Sequence, residues 1–263
     1  MKKIIALVLA LTMCLFALTA CGGADGDVAA VEDAGKLVVG ITDYEPMDYK
    51  DASGKWIGFD AELAEQFAAT LGVECVFVEI DWKNKVAEIN AKEIDLIWNG
   101  MTASDELGEQ IDFSTAYAKN AQVVVVKKGA NITKDSLKSL SIAVENGSAG
   151  ASVADEVIKP KTVNKVKNQL AALEEVAAGT SDAAVIDLTM AQSKLGKGTF
   201  ANLQLVDGAQ YSDEVFAVGL RKGSDLKEKL DAFLAEKYSD GTMDALSAKY
   251  DNAIVINKAA FAK

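Results

Sequence analysis

The feature that most limits how this chain can fold is an alternation. Short runs rich in β-branched residues recur between segments with helical spacing. The strand-like runs are 36–42 (KLVVGIT), 75–80 (CVFVEI), 94–99 (IDLIWN), 121–128 (AQVVVVKK), 141–145 (SIAVE), 183–187 (AAVID), 203–207 (LQLVD) and 215–221 (VFAVGLR). Several are apolar throughout, which marks strands covered on both faces. Between them, 58–72 (GFDAELAEQFAATLG) sets Phe59, Leu63, Phe67 and Leu71 on one face, with Asp60 as its expected N-cap and Gly72 as its stop. Segments 85–93 and 166–180 are amphipathic, and 224–251 reads as two helices split at SDGT. Strands separated by helices of this length predict α/β architecture built from open, mostly parallel sheets flanked by helices.

Runs 121–129 and 215–223 stand apart, each a long strand ending in a basic pair and a glycine. They bracket a middle block with βα units of its own. That is the pattern of a chain that leaves one lobe on the first strand and returns near the second. The division it predicts is 37–120 with 213–263 as one lobe and 121–212 as the other.

The N-terminus is set aside from the fold. Residues 1–20 join two lysines to an unbroken apolar run, the layout of a secretory signal and not of a comfortable membrane span. They end on LTAC (18–21), which resembles a bacterial lipobox, so Cys21 is the expected lipid anchor on the extracytoplasmic face of the membrane. The rest of 21–36 is Gly-, Ala- and Asp-rich and reads as a flexible tether. Cys75 is then the one cysteine left in the mature chain. It lies in an apolar strand, reads as a small core residue, and leaves no internal disulfide to expect. The chain has no histidine, which excludes a Ser–His or Cys–His nucleophile and removes the commonest metal ligand; neither metal nor cofactor is expected. A formal charge of −12 makes nucleic acid a poor partner.

The ordered segments 37–73, 94–129, 142–150, 179–188 and 217–234 resemble the extracytoplasmic amino-acid-binding proteins of ABC importers, the family 3 solute-binding type. The resemblance spans roughly 36–250. It implies a two-lobed, type II periplasmic-binding-protein-like fold with two crossing hinge strands, closing over one small polar ligand. Elementary topology agrees with that placement, because ligands of open α/β sheets bind outside the carboxyl ends of the strands.

The resemblance also assigns roles. Tyr44 falls where an aromatic ring lines one wall, and Trp82 where a ring covers the other side of the ligand. A plain turn residue and a helix-start packing residue are the respective alternatives, and Trp98 reads as core. In NGMT (99–102), the Gly100 carbonyl would accept from a ligand ammonium and the Thr102 hydroxyl would touch its polar groups, with Asn99 adding an amide. Gly100 would let the backbone approach without a Cβ. Asp187 ends a buried apolar strand, where a charge is costly without a partner. It would bind the α-ammonium, or else cap the helix that follows. Ser148 and Ala149, in ENGSAG (145–150), would open a helix whose free N–H groups favour a carboxylate, although relatives carry threonine where this chain has Ala149.

One position departs from the family pattern. Relatives carry an arginine in T-x-T-x-x-R that pairs in bidentate fashion with the ligand carboxylate. Here the stretch is Thr102-Ala103-Ser104-Asp105-Glu106-Leu107. Three readings follow. The helix N-terminus with Thr102 and Ser104 holds the carboxylate unaided, or the ligand is an amine or neutral molecule without that group, or Lys83, Lys85 or Lys119 reaches in. The function expected is a binding protein and not an enzyme: a lipid-anchored, monomeric receptor that passes an amino acid or a related amine or amide to ABC permease subunits in the membrane. A dehydratase-like enzyme on the same fold, or a ligand-sensing module presenting to a membrane partner, are the alternatives.

Overall fold

The computed structural model describes residues 26–262. The signal-like run 1–20 and the lipobox cysteine Cys21 lie outside the described residues. In chain order the strands are β1 (Lys36–Ile41), β2 (Tyr49–Lys50), β3 (Trp56–Ile57), β4 (Glu74–Glu79), β5 (Leu96–Ile97), β6 (Asp112–Phe113), β7 (Ala118–Lys127), β8 (Ser141–Glu145), β9 (Thr162–Val166), β10 (Ala183–Asp187), β11 (Leu203–Phe216), β12 (Gly219–Leu220) and β13 (Val255–Ile256). They form two large sheets, in spatial order β4-β1-β5-β12-β6 and β11-β7-β10-β8-β9, with β13 on β7 and a β2–β3 hairpin. Within each sheet the βαβ units are parallel: β4-β1-β5 in the first, β10-β8-β9 in the second. Apolar runs such as β10, buried at every position, sit where helices cover both faces.

β7 and β11 carry the chain between the lobes and pair antiparallel from Leu203↔Lys127 to Phe216↔Ala118. The return strand is therefore one element of 14 residues where the sequence suggests separate strands at 203–207 and 215–221. Polar and glycine residues that read as a loop are absorbed as irregularities between Leu205 and Gln210 and between Tyr211 and Glu214. Gly208 and Ser212 take left-handed backbone at these points, with φ 69° and 49°.

Three local expectations need correction. Residues 21–36 are not a tether throughout, because Asp27–Ala34 is a helix closed by left-handed Gly35. Val28 and Val31 are buried beneath it, and Asp27 meets Arg221 Nε at 3.0 Å. A single i, i+3 valine pair in an Ala/Asp-rich stretch is too short to register as a period. Asp60 is not the cap of helix Phe59–Thr70, since Gly58 holds that position without a side-chain bond. Asp60 is instead fully buried, and its carboxylate accepts from the Gly100 N–H and the Tyr117 hydroxyl, both at 2.7 Å. The face of Phe59, Leu63 and Phe67 is buried as its spacing predicts. Cys75 is half-buried, and burial pushes its thiol up to about 12, so it stays protonated and unreactive.

Candidate functional site

A cavity of about 380 Å³ lies where the two lobes meet. Its walls come from loops at the carboxyl ends of strands: Tyr44 after β1, Trp82 after β4, Asn99 to Thr102 after β5, Ser148 and Ala149 after β8, and Asp187 closing β10. Every residue singled out as a ligand contact in the sequence lines this one space. Trp98 does not; it is fully buried in the core.

The NGMT turn is built from below by acids. Asn99 Nδ2 donates to Asp48 at 2.7 Å and to the Thr42 carbonyl at 3.1 Å, while its Oδ1 accepts from the Thr42 hydroxyl at 2.8 Å. Both amide protons are thus spent on the framework, and Asn99 positions the turn instead of offering an amide to a ligand. Gly100 has φ 54°, and a Cβ there would lie 2.7 Å from the Tyr44 ring. Its glycine is required by that ring as much as by any ligand. Asp48 and Asp60, both raised by burial, form a buried acid pair beneath the turn. The Thr102 hydroxyl donates to Glu214 Oε2 at 2.9 Å.

Asp187 occupies the N-cap position of helix Leu188–Lys194 but makes no capping bond. Its carboxylate accepts from Asn120 Nδ2 at 2.6 Å, from Gln122 Nε2 at 2.5 Å and from Gln169 Nε2. Asn120 and Gln122 donate also to Glu214, at 3.1 and 2.9 Å, so two carboxyl groups gather around the same amides. Burial, then the charge of Glu214, pushes Asp187 up to about 6. Glu145, at the end of β8, is pushed up to about 8 by burial and next by Asp187, and its Oε1 has no hydrogen-bond partner among the described residues. Burial holds the Tyr44 hydroxyl well above the ordinary phenol range, and the neighbouring Asp187 carboxylate raises it further.

Of the three lysines considered, Lys85 alone lines the cavity. Its ammonium lies 4.8 Å from the Trp82 ring centroid and donates to the Trp82 carbonyl at 3.2 Å and to the Gly147 carbonyl, across the cleft, at 3.0 Å. Burial lowers it to about 8 against the pull of Glu145. The Ser104 hydroxyl accepts from the Leu107 N–H at 3.3 Å and so caps helix Asp105–Gly108. Leu107 turns onto the cavity wall and packs with the cluster of Ile80, Trp82 and Ile111. The Ser148 hydroxyl accepts from the Ala151 N–H at 3.1 Å as an N-cap. Two further contacts join the lobes: Lys194 pairs with Glu45, and Ser193 Oγ donates to Glu45 Oε1 at 3.4 Å.

Sequence reasoning overlooked Glu145, Gln169 and Glu214, with the helper amides Asn120 and Gln122. Glu145 and Gln169 lie beside recognised segments, and a carboxylate ending the strand SIAVE, as Asp187 ends AAVID, was a usable signal. Among the described residues no group of three or more Cys, Asp or Glu side chains is placed to hold a metal ion, and no helix is long and apolar enough to cross a membrane.

Comparison with known proteins places this site in context. Residues 37–253 match the model of the bacterial extracellular solute-binding proteins, family 3. The L-cystine-binding protein TcyJ of Escherichia coli K12 is 32% identical over 236 residues, covering 88% of each chain. The arginine-binding extracellular protein ArtP of Bacillus subtilis is 29% identical, over 95% of this chain and 98% of its own. A Streptococcus pneumoniae ABC uptake transporter substrate-binding protein with bound histidine superposes with a TM-score of 0.81 at 28% identity, over 89% of this chain and all of its own.

Proposed function

We infer the role of this chain from the family it belongs to, the bacterial extracellular solute-binding proteins of family 3, and from the cleft described above. It captures an amino acid or related small nitrogenous solute outside the cell and delivers it to the permease of an ABC importer. Cys21 tethers it to the membrane by a lipid, and the chain works as a monomer. Binding and release suffice for this role, and no covalent step is needed.

The observation that carries the reading is convergence: residues from five strand ends and both lobes meet on one cavity, among them an acid, Asp187, that caps nothing. Asp187 takes the ligand ammonium. Tyr44 and Trp82 wall its body, and the Gly100 carbonyl and Thr102 add polar contacts. Ala149 offers its backbone N–H and Ser148 its hydroxyl proton, since the Ser148 N–H already donates to the Glu145 carbonyl at 3.2 Å. A ligand touching both lobes binds the closed arrangement more tightly than the open one and shifts the chain towards it.

A thermal-shift screen of the purified protein tests this, pairing each amino acid with its decarboxylated amine and its amide. A ligand that binds the native state raises the Tm by mass action. The shift should vanish in Asp187→Ala. A panel in which no member moves the Tm would sink the reading. Membrane attachment is checked separately by fractionation, where Cys21→Ala should release the protein.

A further inference from the structure

The acids of the cleft are not confined to Asp187. Glu106 faces it from one lobe, Glu145, Glu156 and Asp187 from the other, and Glu214 from the crossing strand β11. The single basic side chain on that lining is Lys85, already tied to the carbonyls of Trp82 and Gly147. Among the described residues, no lysine or arginine lies within ion-pair distance of Asp187, Glu145 or Glu214.

One buried acid on the wall has an oxygen without a partner: Glu145 is 3% exposed and its Oε1 accepts no hydrogen bond among the described residues. A buried polar atom without a partner is destabilising, more so when charged, and a donor held in the cavity that Glu145 lines would relieve it.

A zwitterion would bring a carboxylate into this field, and no cationic side chain on the lining is free to receive it, Lys85 being tied to two carbonyls. Leu107, where the resemblance leads one to expect an arginine, packs against the cluster of Ile80, Trp82 and Ile111. The Thr102 proton goes to Glu214, and the Ser104 and Ser148 hydroxyls, which accept capping bonds, offer at most neutral donors in place of a charged fork.

We propose that the ligand is a small organic cation without a carboxylate, an alkyl diamine being its simplest form, with one ammonium on Asp187 and Glu214 and the second on Glu145. This rests on the solute-binding reading above and narrows it to a ligand class. The acids carry the positive ends, and Tyr44 and Trp82 cover the methylene chain. Leu107 then serves as apolar wall where an arginine would repel the ligand.

Calorimetric titration of the purified protein with putrescine, cadaverine, ornithine and lysine decides the matter, since each amino acid differs from one diamine only by its carboxylate. The diamines should bind at least about tenfold more tightly than their partners, a gap of roughly 1.4 kcal/mol. Glu145→Gln keeps the side-chain shape and should weaken diamine binding by about tenfold or more. Leu107→Arg should move the preference towards the amino acids. If ornithine or lysine binds more tightly than its diamine, the proposed class is overturned and the solute-binding reading survives. If Glu145→Gln leaves diamine affinity unchanged, the second ammonium site is wrong. If no amine or amino acid binds at all, both readings fall.

Discussion

At the scale of single residues, the cleft is governed by acids that are costly to ionise. Asp187 and Glu145 titrate near 6 and 8 in the folded chain, against ordinary values of 3.8 and 4.5. The unfolded chain gives up those protons at lower pH. Their contribution to stability is therefore complete below about pH 4 and lost as pH rises through 6 and then 8. Lys85, lowered to about 8, acts in the opposite sense above that point, so the decline should level off there. An ammonium ligand needs the ionised acids, and its affinity should climb over the interval in which the empty protein weakens. Parallel Tm and Kd series between about pH 5 and 8 check this, and a Kd flat across the range would refute it. Asp187→Asn should cost about 3 kcal/mol of ligand affinity, roughly a hundredfold, because the ammonium loses its charged acceptor. Much of the cavity's lining was legible in advance. Asp187, Tyr44, Trp82 and the NGMT turn sit just past strand ends, where topology fixes which way a loop faces. Glu214 and Gln122 were not legible, because they sit mid-strand on β11 and β7, and only the pairing of those strands brings Glu214 to the cleft and Gln122 to its acids.

At the scale of elements, two short segments hold more than their length suggests. The N-terminal helix Asp27–Ala34 is fastened by Arg221, whose guanidinium also meets Asp95 at 3.1 Å and the Ile89 and Ile94 carbonyls at 3.2 and 2.6 Å. Removing it strands two carboxylates and two carbonyls that little water reaches. Arg221→Ala should destabilise the fold by about 3–5 kcal/mol with ligand affinity unchanged at temperatures where the protein stays folded, read from denaturant melts beside titrations. The sequence offered a basic pair at the end of a strand but not its target, since the partners lie in the helix that composition disguised as a tether. The turn before Ser148 poses the reverse case. Gly147 has φ 75°, and a Cβ there would lie 2.9 Å from the Lys83 Cα in the opposite lobe. In Gly147→Ala the left-handed backbone costs about 1–2 kcal/mol locally, but the added methyl collides only when the cleft is shut. Ligand affinity should fall by about tenfold or more, and scattering at saturating ligand should give a larger radius of gyration than wild type. An unchanged radius would mean that the lobes accommodate the methyl.

At the scale of the whole molecule, the cleft is closed by contacts independent of any ligand. Lys85 reaches the Gly147 carbonyl, and Lys194 of the second lobe pairs with Glu45 of the first. These bonds exist only when the lobes meet, so each adds to the closed side of a two-state balance. The strands β7 and β11 join the lobes, and irregular stretches near Gly208 and Ser212 interrupt an otherwise continuous ladder. Glu45 and Lys194 keep part of their surface in water, which limits the pair to about 0.5–1 kcal/mol. Glu45→Gln should accordingly lower the ratio of closed to open molecules by about two- to fivefold and weaken ligand binding by the same factor, chiefly through faster release. Lys194→Gln should do the same, and combining the two changes should add almost nothing, because each already breaks the whole contact. Added salt should erode the wild-type advantage and leave the variants indifferent. Stopped-flow release of a bound amine against ionic strength reads all of these at once. Equal salt dependence in wild type and Glu45→Gln would show that the pair does not act in closure and that the remaining inter-lobe bonds carry it alone.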